Sequence, residues 1–287
     1  MTKSLIDQAR DYAINALHYE VVLLPKPGLV DPQSNGAHTD MNVYTFINSI
    51  TSLSPFFTQY IQTGFYHQQS FDTLFEPLRK IGKQAEDAML TATKGINTHK
   101  GANFSFAILL GATGLFYQEN CPSTWTAANS DDVLSIAAKI CRHLIEHDLE
   151  QLDKEEDLSY GEKNYLTYGL TGIRGEAVAG YPTLSKLLDY VRQLPDEGEV
   201  KLLRSLVYLM SETEDSNLVH RGGYEAMKNV QKDMKKIHEA NLSKTALLHA
   251  LTEYDQIMIK HHLSPGGSAD LLSLAIYFLQ LEGLSFW

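Results

Sequence analysis

The chain has 287 residues, of which 44% are hydrophobic, and a formal net charge of −11. That apolar content suffices for a substantial core, whereas a general nucleic-acid or anionic-membrane surface would need a basic face that this charge balance does not supply. The two cysteines, Cys121 and Cys141, match neither a CxxC metal pair nor a disulfide framework and read as free thiols.

Residues 1–10 mix charges and lack the continuous apolar stretch of a secretory signal. The longest apolar stretch, residues 104–117, is shorter than the ~20 residues that span a bilayer. The chain therefore reads as soluble and cytoplasmic. Ser4 can cap a first helix, with Asp7 three residues on, and Leu5, Ala9, Tyr12, Ala16 and Tyr19 recur at helical spacing. Pro25-Lys-Pro-Gly28 ends it, because each proline restricts the residue before it and neither can donate a backbone hydrogen bond.

The loop that follows carries Lys26, Asp31, His38 and Asp40, and a loop of about 15 residues between helices is commonly functional. The alternative is a solvated connector in which Asp40 merely caps the next helix. That helix is expected over residues 41–51, with Ser54-Pro55 starting another. Residues 71–93 give a further helix, with Leu74, Leu78, Ile81, Ala85 and Ala88 on one face.

Asn97-Thr-His-Lys100 then precedes residues 104–117, which hold no charged side chain. Ala107, Gly111 and Gly114 would let other backbones approach this buried helix closely. Its N-terminus, with unpaired N–H groups and the positive end of the dipole, favours an anion. His99 and Lys100 sit there, as on the floor of a phosphate site.

After a loop over residues 118–130, Ser130-Asp131 starts a helix with Val133, Ala137, Ile140 and Leu144 on its apolar stripe. His143, Glu146 and His147 match the H-x-x-E-H pattern of zinc peptidases, although the acidic run that follows suits a solvated face. Residues 160–182 read as a second irregular segment, with Arg174 and Glu176 among glycines 169, 172, 175 and 180. A glycine-rich turn facing water would explain the same pattern.

Short helices are expected over residues 184–191 and 200–210. A polar turn follows, with acids at 212, 214 and 215 and with His220-Arg221 just beyond. Capping explains Ser216, Asn217 and the glycines of that turn, but not His220-Arg221 beside the acids. Met227, Val230, Met234 and Ile237 mark another amphipathic helix, and residues 243–260 one more. Finally, a polar turn from His262 to Asp270 feeds an almost wholly apolar run, residues 271–281.

No alternating strands, internal repeat or low-complexity linker interrupts this pattern, which predicts one all-α domain over residues 1–287. If the polar loops meet at one end of the bundle, they bring Asp40, Glu176 and Asp215 together with Lys26, Lys100, Arg174 and Arg221. Such a mixture suits a metal-bound polyphosphate, with carboxylates holding Mg²⁺ and cations holding phosphate oxygens. Walker A and kinase motifs are absent. The residues themselves thus indicate a helical enzyme acting on a nucleotide or another phosphorylated small molecule.

Six stretches, in order, resemble the triphosphoribosyl-dephospho-CoA synthase family. They are Glu20 with Pro25-Lys-Pro-Gly-Leu-Val-Asp31, Asn35-Gly-Ala-His-Thr-Asp-Met41, Asn97-Thr-His-Lys-Gly101, Gly172-Ile-Arg-Gly-Glu-Ala177, Glu214-Asp-Ser-Asn-Leu-Val-His-Arg-Gly222 and Leu263-Ser-Pro-Gly-Gly-Ser-Ala-Asp270. The resemblance implies transfer of the triphosphoribosyl part of ATP to the ribose 2′-hydroxyl of 3′-dephospho-CoA, with release of adenine. It further implies that the product passes to a phosphoribosyl-dephospho-CoA transferase acting on the acyl carrier protein of citrate lyase, with malonate decarboxylase as the alternative recipient.

Breaking an N-glycosidic bond requires charge stabilisation at C1, a base for the hydroxyl and a proton for adenine. On that basis Asp40, Glu176 and Asp215 are expected to serve as Mg²⁺ ligands or base. Lys26, His99, Lys100, Arg174 and Arg221 would hold the two polyanionic substrates, and His38 and His220 would supply the proton. Glu20 and Asp270 would touch substrate or orient neighbours. The competing readings are a metal-dependent nucleotide hydrolase, a zinc peptidase and a non-catalytic helical nucleotide-binding module.

Overall fold

The computed structural model describes residues 2–145 and 160–286, and within them every regular element is helical. In chain order these are α1 (Thr2–Val22), α2 (Val43–Phe65), α3 (Phe75–Ala92), α4 (Lys100–Glu119), α5 (Ala127–Ile140) and α6 (Tyr160–Tyr168). They continue as α7 (Gly172–Val178), α8 (Pro182–Gln193), α9 (Gly198–Glu212), α10 (Ser216–Glu239), α11 (Lys244–Lys260) and α12 (Gly266–Leu281).

Two helices, α4 and α12, are buried nearly all round, as their apolar composition requires. They meet at the middle of the core, where the Phe106 and Tyr277 rings lie 6.0 Å apart and Thr113 Oγ1 is 3.0 Å from the Tyr277 hydroxyl. α2, α3 and α5 pack around α4, while α1, α8 and α9 pack around α12. The close approach of α2 to α4 depends on glycine. A Cβ on Gly64 would lie 1.9 Å from the Gly111 carbonyl oxygen, and one on Gly114 would lie 2.1 Å from that of Ile61.

Several boundaries differ from the expected ones, each for a local reason. Ser4 lies inside α1 rather than capping it. Pro55 does not start a helix but sits within α2. Ile50 and Leu53 before it, and Phe57, Tyr60 and Ile61 after it, are all buried. At about 1.5–3 kcal/mol each, these side chains outweigh the roughly 3 kcal/mol cost of an interior proline. The cap of α2 is Asn42, whose Oδ1 accepts from the N–H groups of Tyr44 (3.0 Å) and Thr45 (3.1 Å), so Asp40 is not engaged as a cap.

Residues 71–93 divide into a 3₁₀ turn, Phe71–Leu74, followed by α3. α5 begins ahead of Ser130 because Thr126 and Asn129 form a capping box. The glycine-rich segment contains α6 and α7 instead of a continuous loop. α10 takes in His220 and Arg221, and crosses a break at Gly223, where φ is 82°. Glu146 and His147 of the zinc-like motif lie outside the described residues. No helix among the described residues is long and apolar enough to cross a membrane.

Candidate active site

The loop after α1 and the N-terminal ends of α4, α7, α10 and α12 surround a cleft of about 1080 Å³. All twelve side chains nominated from the sequence line it. Their surroundings divide them into a buried floor and a wetter mouth.

The floor holds the buried Glu20, Lys26, Asp215 and His99, with Asp270 half-buried beside them. Lys26 is buried, and its Nζ donates to Glu20 Oε1 (2.5 Å) and to the Glu20 carbonyl oxygen (2.6 Å) near the end of α1. Its charge is therefore committed to a buried ion pair. Asp215 caps α10, its Oδ1 accepting from the N–H groups of Asn217 (3.0 Å) and Leu218 (3.4 Å). Its Oδ2 accepts from the N–H (2.9 Å) and hydroxyl (3.1 Å) of Ser268 in the first turn of α12. One carboxylate thus joins two helix N-termini, and its four principal lone-pair directions are taken.

Asp270 answers the anion preference of the α4 N-terminus. It accepts from the N–H of Ala102 and lies so close to Gly101 that a Cβ there would come within 2.1 Å of its Oδ2. The expected anion at that helix end is the chain's own carboxylate. Burial, then the nearby charges of Glu20 and Asp215, raise the Asp270 pKa well above the ordinary carboxylate value. Burial raises that of Asp215 too, against four backbone hydrogen bonds. Asp270 thus shares this floor with two other carboxylates and the ammonium of Lys26, and the crowding of like charge disfavours its ionised form.

His99 is buried and does not act as a cation. Burial, reinforced by Lys26, pushes its pKa down to about 3. Thr98 Oγ1 donates to Ser49 Oγ (2.7 Å), which lies 2.7 Å from His99 Nδ1. His99 Nε2 has no hydrogen-bond partner, and it carries the ring proton in the tautomer in which Ser49 donates to Nδ1.

At the mouth, Arg221 Nη2 is 3.0 Å from His38 Nδ1, and its Nη1 donates to the carbonyl oxygens of Ala37 and His262 at 3.3 Å. A guanidinium only donates, so Nδ1 is unprotonated and Nε2 of His38 donates to Ser264 Oγ (2.9 Å). Burial and the Arg221 charge lower the His38 pKa to about 4. Burial, then Arg221, also lower that of His220. Both nominated proton donors are thus disfavoured as acids at neutral pH. Asp40 is exposed, 3.7 Å from His38 Nδ1. Lys100 pairs with Glu86 at 2.7 Å, and Arg174 lies in the wall formed by α7.

Glu176 is half-buried. Its Oε1 accepts from the Thr183 hydroxyl (2.7 Å) and its Oε2 from the Thr183 N–H (3.1 Å), at the start of α8. Burial raises its pKa. The expected Mg²⁺ trio of Asp40, Glu176 and Asp215 is therefore not assembled as a cation site. Two of the three are engaged by helix starts, and among the described residues no three His, Cys, Asp or Glu side chains gather to hold a metal.

Other participants were not nominated from the sequence. Glu212 and Glu214 line the cleft as exposed carboxylates, and Glu214 lies within the Glu214–Gly222 stretch already quoted. Ser264, the partner of His38, belongs to another quoted stretch. Ser49 had no local signal, being one polar residue within α2.

Fold and site together define an all-helical protein whose large polar cleft combines cations at its mouth with clustered carboxylates at its floor. The chain belongs to the CitG family, described as ATP:dephospho-CoA triphosphoribosyl transferase, whose model matches residues 6–286. It is 48% identical to "Probable 2-(5''-triphosphoribosyl)-3'-dephosphocoenzyme-A synthase" of Streptococcus equi subsp. zooepidemicus, over 98% of this chain and 99% of the relative. It is 49% identical to the protein of the same description in Streptococcus pyogenes serotype M5, over 99% and 100% respectively. A solved structure, "Crystal structure of putative triphosphoribosyl-dephospho-coA synthase from Archaeoglobus fulgidus", aligns at TM-score 0.49 and 15% identity, covering 83% of this chain and 99% of that one.

Proposed function

We propose that the cleft transfers the triphosphoribosyl group of ATP to the ribose 2′-hydroxyl of 3′-dephospho-CoA and releases adenine. The observation that carries this reading is the composition of one cavity. At about 1080 Å³ it lies at the top of the ~300–1,000 Å³ range of small-molecule sites, room for two nucleotides. Its mouth carries Lys100, Arg174 and Arg221 for phosphates, while its floor carries carboxylates suited to glycosyl chemistry.

In this reaction the C1′–N9 bond breaks, its electron pair leaves with adenine, and the 2′-oxygen bonds to C1′. Adenine needs a proton and the hydroxyl must lose one. Asp270, in the company of Glu20 and Asp215, is the group best suited to donate, in place of His38 and His220. Asp40, Glu212 and Glu214 are the exposed carboxylates of the cleft, open to accept the hydroxyl proton. His99 Nε2–H offers a neutral donor, and Asp215 and Glu176 hold the helix starts that frame the site. Mg²⁺ enters with the triphosphate as part of the substrate, since Mg²⁺ commonly takes one or two carboxylates plus phosphate oxygens.

Substrates of this kind suit a cytoplasmic enzyme. The product would supply a phosphoribosyl-dephospho-CoA transferase acting on the acyl carrier protein of citrate lyase, with malonate decarboxylase as the other recipient. Incubation with ATP, Mg²⁺ and dephospho-CoA should release adenine and yield one product carrying the mass of both reactants less adenine. ADP or phosphate in place of adenine would make the protein a kinase or phosphatase. ATP binding without turnover would leave a nucleotide-binding module.

A further inference from the structure

A second cavity, of about 270 Å³, opens between α3 and α4 next to the main cleft, with Lys100, Gly101, Ile173 and Arg174 lining both. It falls below the ~300–1,000 Å³ typical of a complete small-molecule site, so it fits one part of a ligand whose remainder lies next door. Phe75, Leu78, Phe104, Ala107 and Ile108 make its surface largely apolar. Asn103 also lines it, but its Oδ1 already accepts from the Tyr60 hydroxyl (2.8 Å) and its Nδ2 donates to the Gly82 carbonyl oxygen (3.1 Å). The polar edge of an adenine would find little to pair with there. Arg79 and Lys83 line it together with Lys100 and Arg174, four cations against the two acids they meet, Glu76 at 3.5 Å from Arg79 and Glu86 at 2.7 Å from Lys100. In a chain of net charge −11 this is a local cationic border on an apolar hollow.

We propose that this side cavity receives the pantetheine arm of dephospho-CoA, with the diphosphate that links the arm to adenosine lying at the junction beside Lys100 and Arg174. The inference rests on the transferase reading above. Of the two substrates only dephospho-CoA carries a long, flexible arm joined directly to phosphate, and the gem-dimethyl and methylene groups of that arm match a largely apolar hollow beside a cationic border. ATP has no such part.

Gly82 gives a selective way to fill the hollow. It lines the cavity within α3, and a Cβ there would meet only the Tyr60 hydroxyl, at 3.9 Å. A Cβ at this position meets no backbone, so Gly82→Ala adds one methyl at the cavity lining while favouring the helix, and Gly82→Leu adds a larger apolar group at the same place. Calorimetry should show dephospho-CoA binding weakened about tenfold or more by Gly82→Leu and less by Gly82→Ala, with ATP affinity within about twofold of wild type in both. Equal weakening for ATP would assign the hollow to a part common to both nucleotides and overturn the proposal. Unchanged dephospho-CoA affinity in both variants would overturn it as well. Wild-type adenine release tells failure of this subsite from failure of the transferase reading, because only the latter abolishes it.

Discussion

Lys26→Met separates a structural from a substrate-binding lysine. In the folded chain the Lys26 ammonium lies 2.5 Å from Glu20 Oε1, with both residues buried. At an effective dielectric constant of about 20, attraction at that distance is about 7 kcal/mol, roughly what removing two ions from water costs. The pair as a whole is therefore close to neutral for stability. Removing the lysine alone leaves the Glu20 carboxylate buried and its carbonyl without the ammonium donor, a loss of about 3–5 kcal/mol. With a urea m-value of roughly 2–3 kcal/mol/M, the midpoint should fall by about 1–2 M. The double variant Glu20→Leu/Lys26→Met should recover most of that, because no uncompensated ion remains. Urea unfolding followed by far-UV circular dichroism measures both, and calorimetry with ATP is run beside it. A Lys26→Met protein with a wild-type midpoint and lost ATP affinity would refute the argument and make Lys26 a direct phosphate ligand.

Asp215→Ala should cost about 2–4 kcal/mol. Losing the α10 cap and stranding the Ser268 donors exceed the relief of no longer burying a carboxylate; wild-type thermal stability with lost activity would instead put Asp215 in the chemistry. Asp270→Asn should lower adenine release about 100-fold or more while leaving ATP binding intact. The raised folded pKa of Asp270 gives stability that is present below the unfolded carboxylate value and lost as pH rises through the folded one. The variant should therefore gain on wild type in unfolding experiments as pH rises above the unfolded carboxylate value, until the folded one is passed, and retained activity would exclude Asp270 as the acid. His99 acts in the other direction. With a folded pKa of about 3, its stabilisation is full above the unfolded value and is lost as pH falls, about 2 kcal/mol between roughly pH 7 and 5. Urea titrations at the two pH values should show that loss, and His99→Gln should flatten it.

Much of the architecture was legible because it follows from local rules. The uncharged run over residues 104–117 and the apolar run over residues 271–281 could form only deeply buried helices, and α4 and α12 are the two at the centre of the core. The polar stretches between helices carried the site, and each nominated residue lines the cleft. Boundaries were less legible at Pro55, where burial on both sides outweighs the proline, and over residues 160–182, where glycines flank short helices instead of preventing them.

Residue type and order thus determined by themselves an all-helical chain of this family and the side chains that gather at its cleft. Tertiary structure alone decided their electrical state, because that depends on neighbours far away in the chain. Lys26, read as a phosphate ligand, is held by Glu20. Asp215, read as a metal ligand or base, ties the starts of α10 and α12. The α4 N-terminus, read as an anion site for substrate, is met by Asp270, 170 positions away. His38 and His99 lose their protons to burial and to cations brought beside them. A sequence names the ionisable groups, but charge is set by desolvation and by the partners that folding delivers.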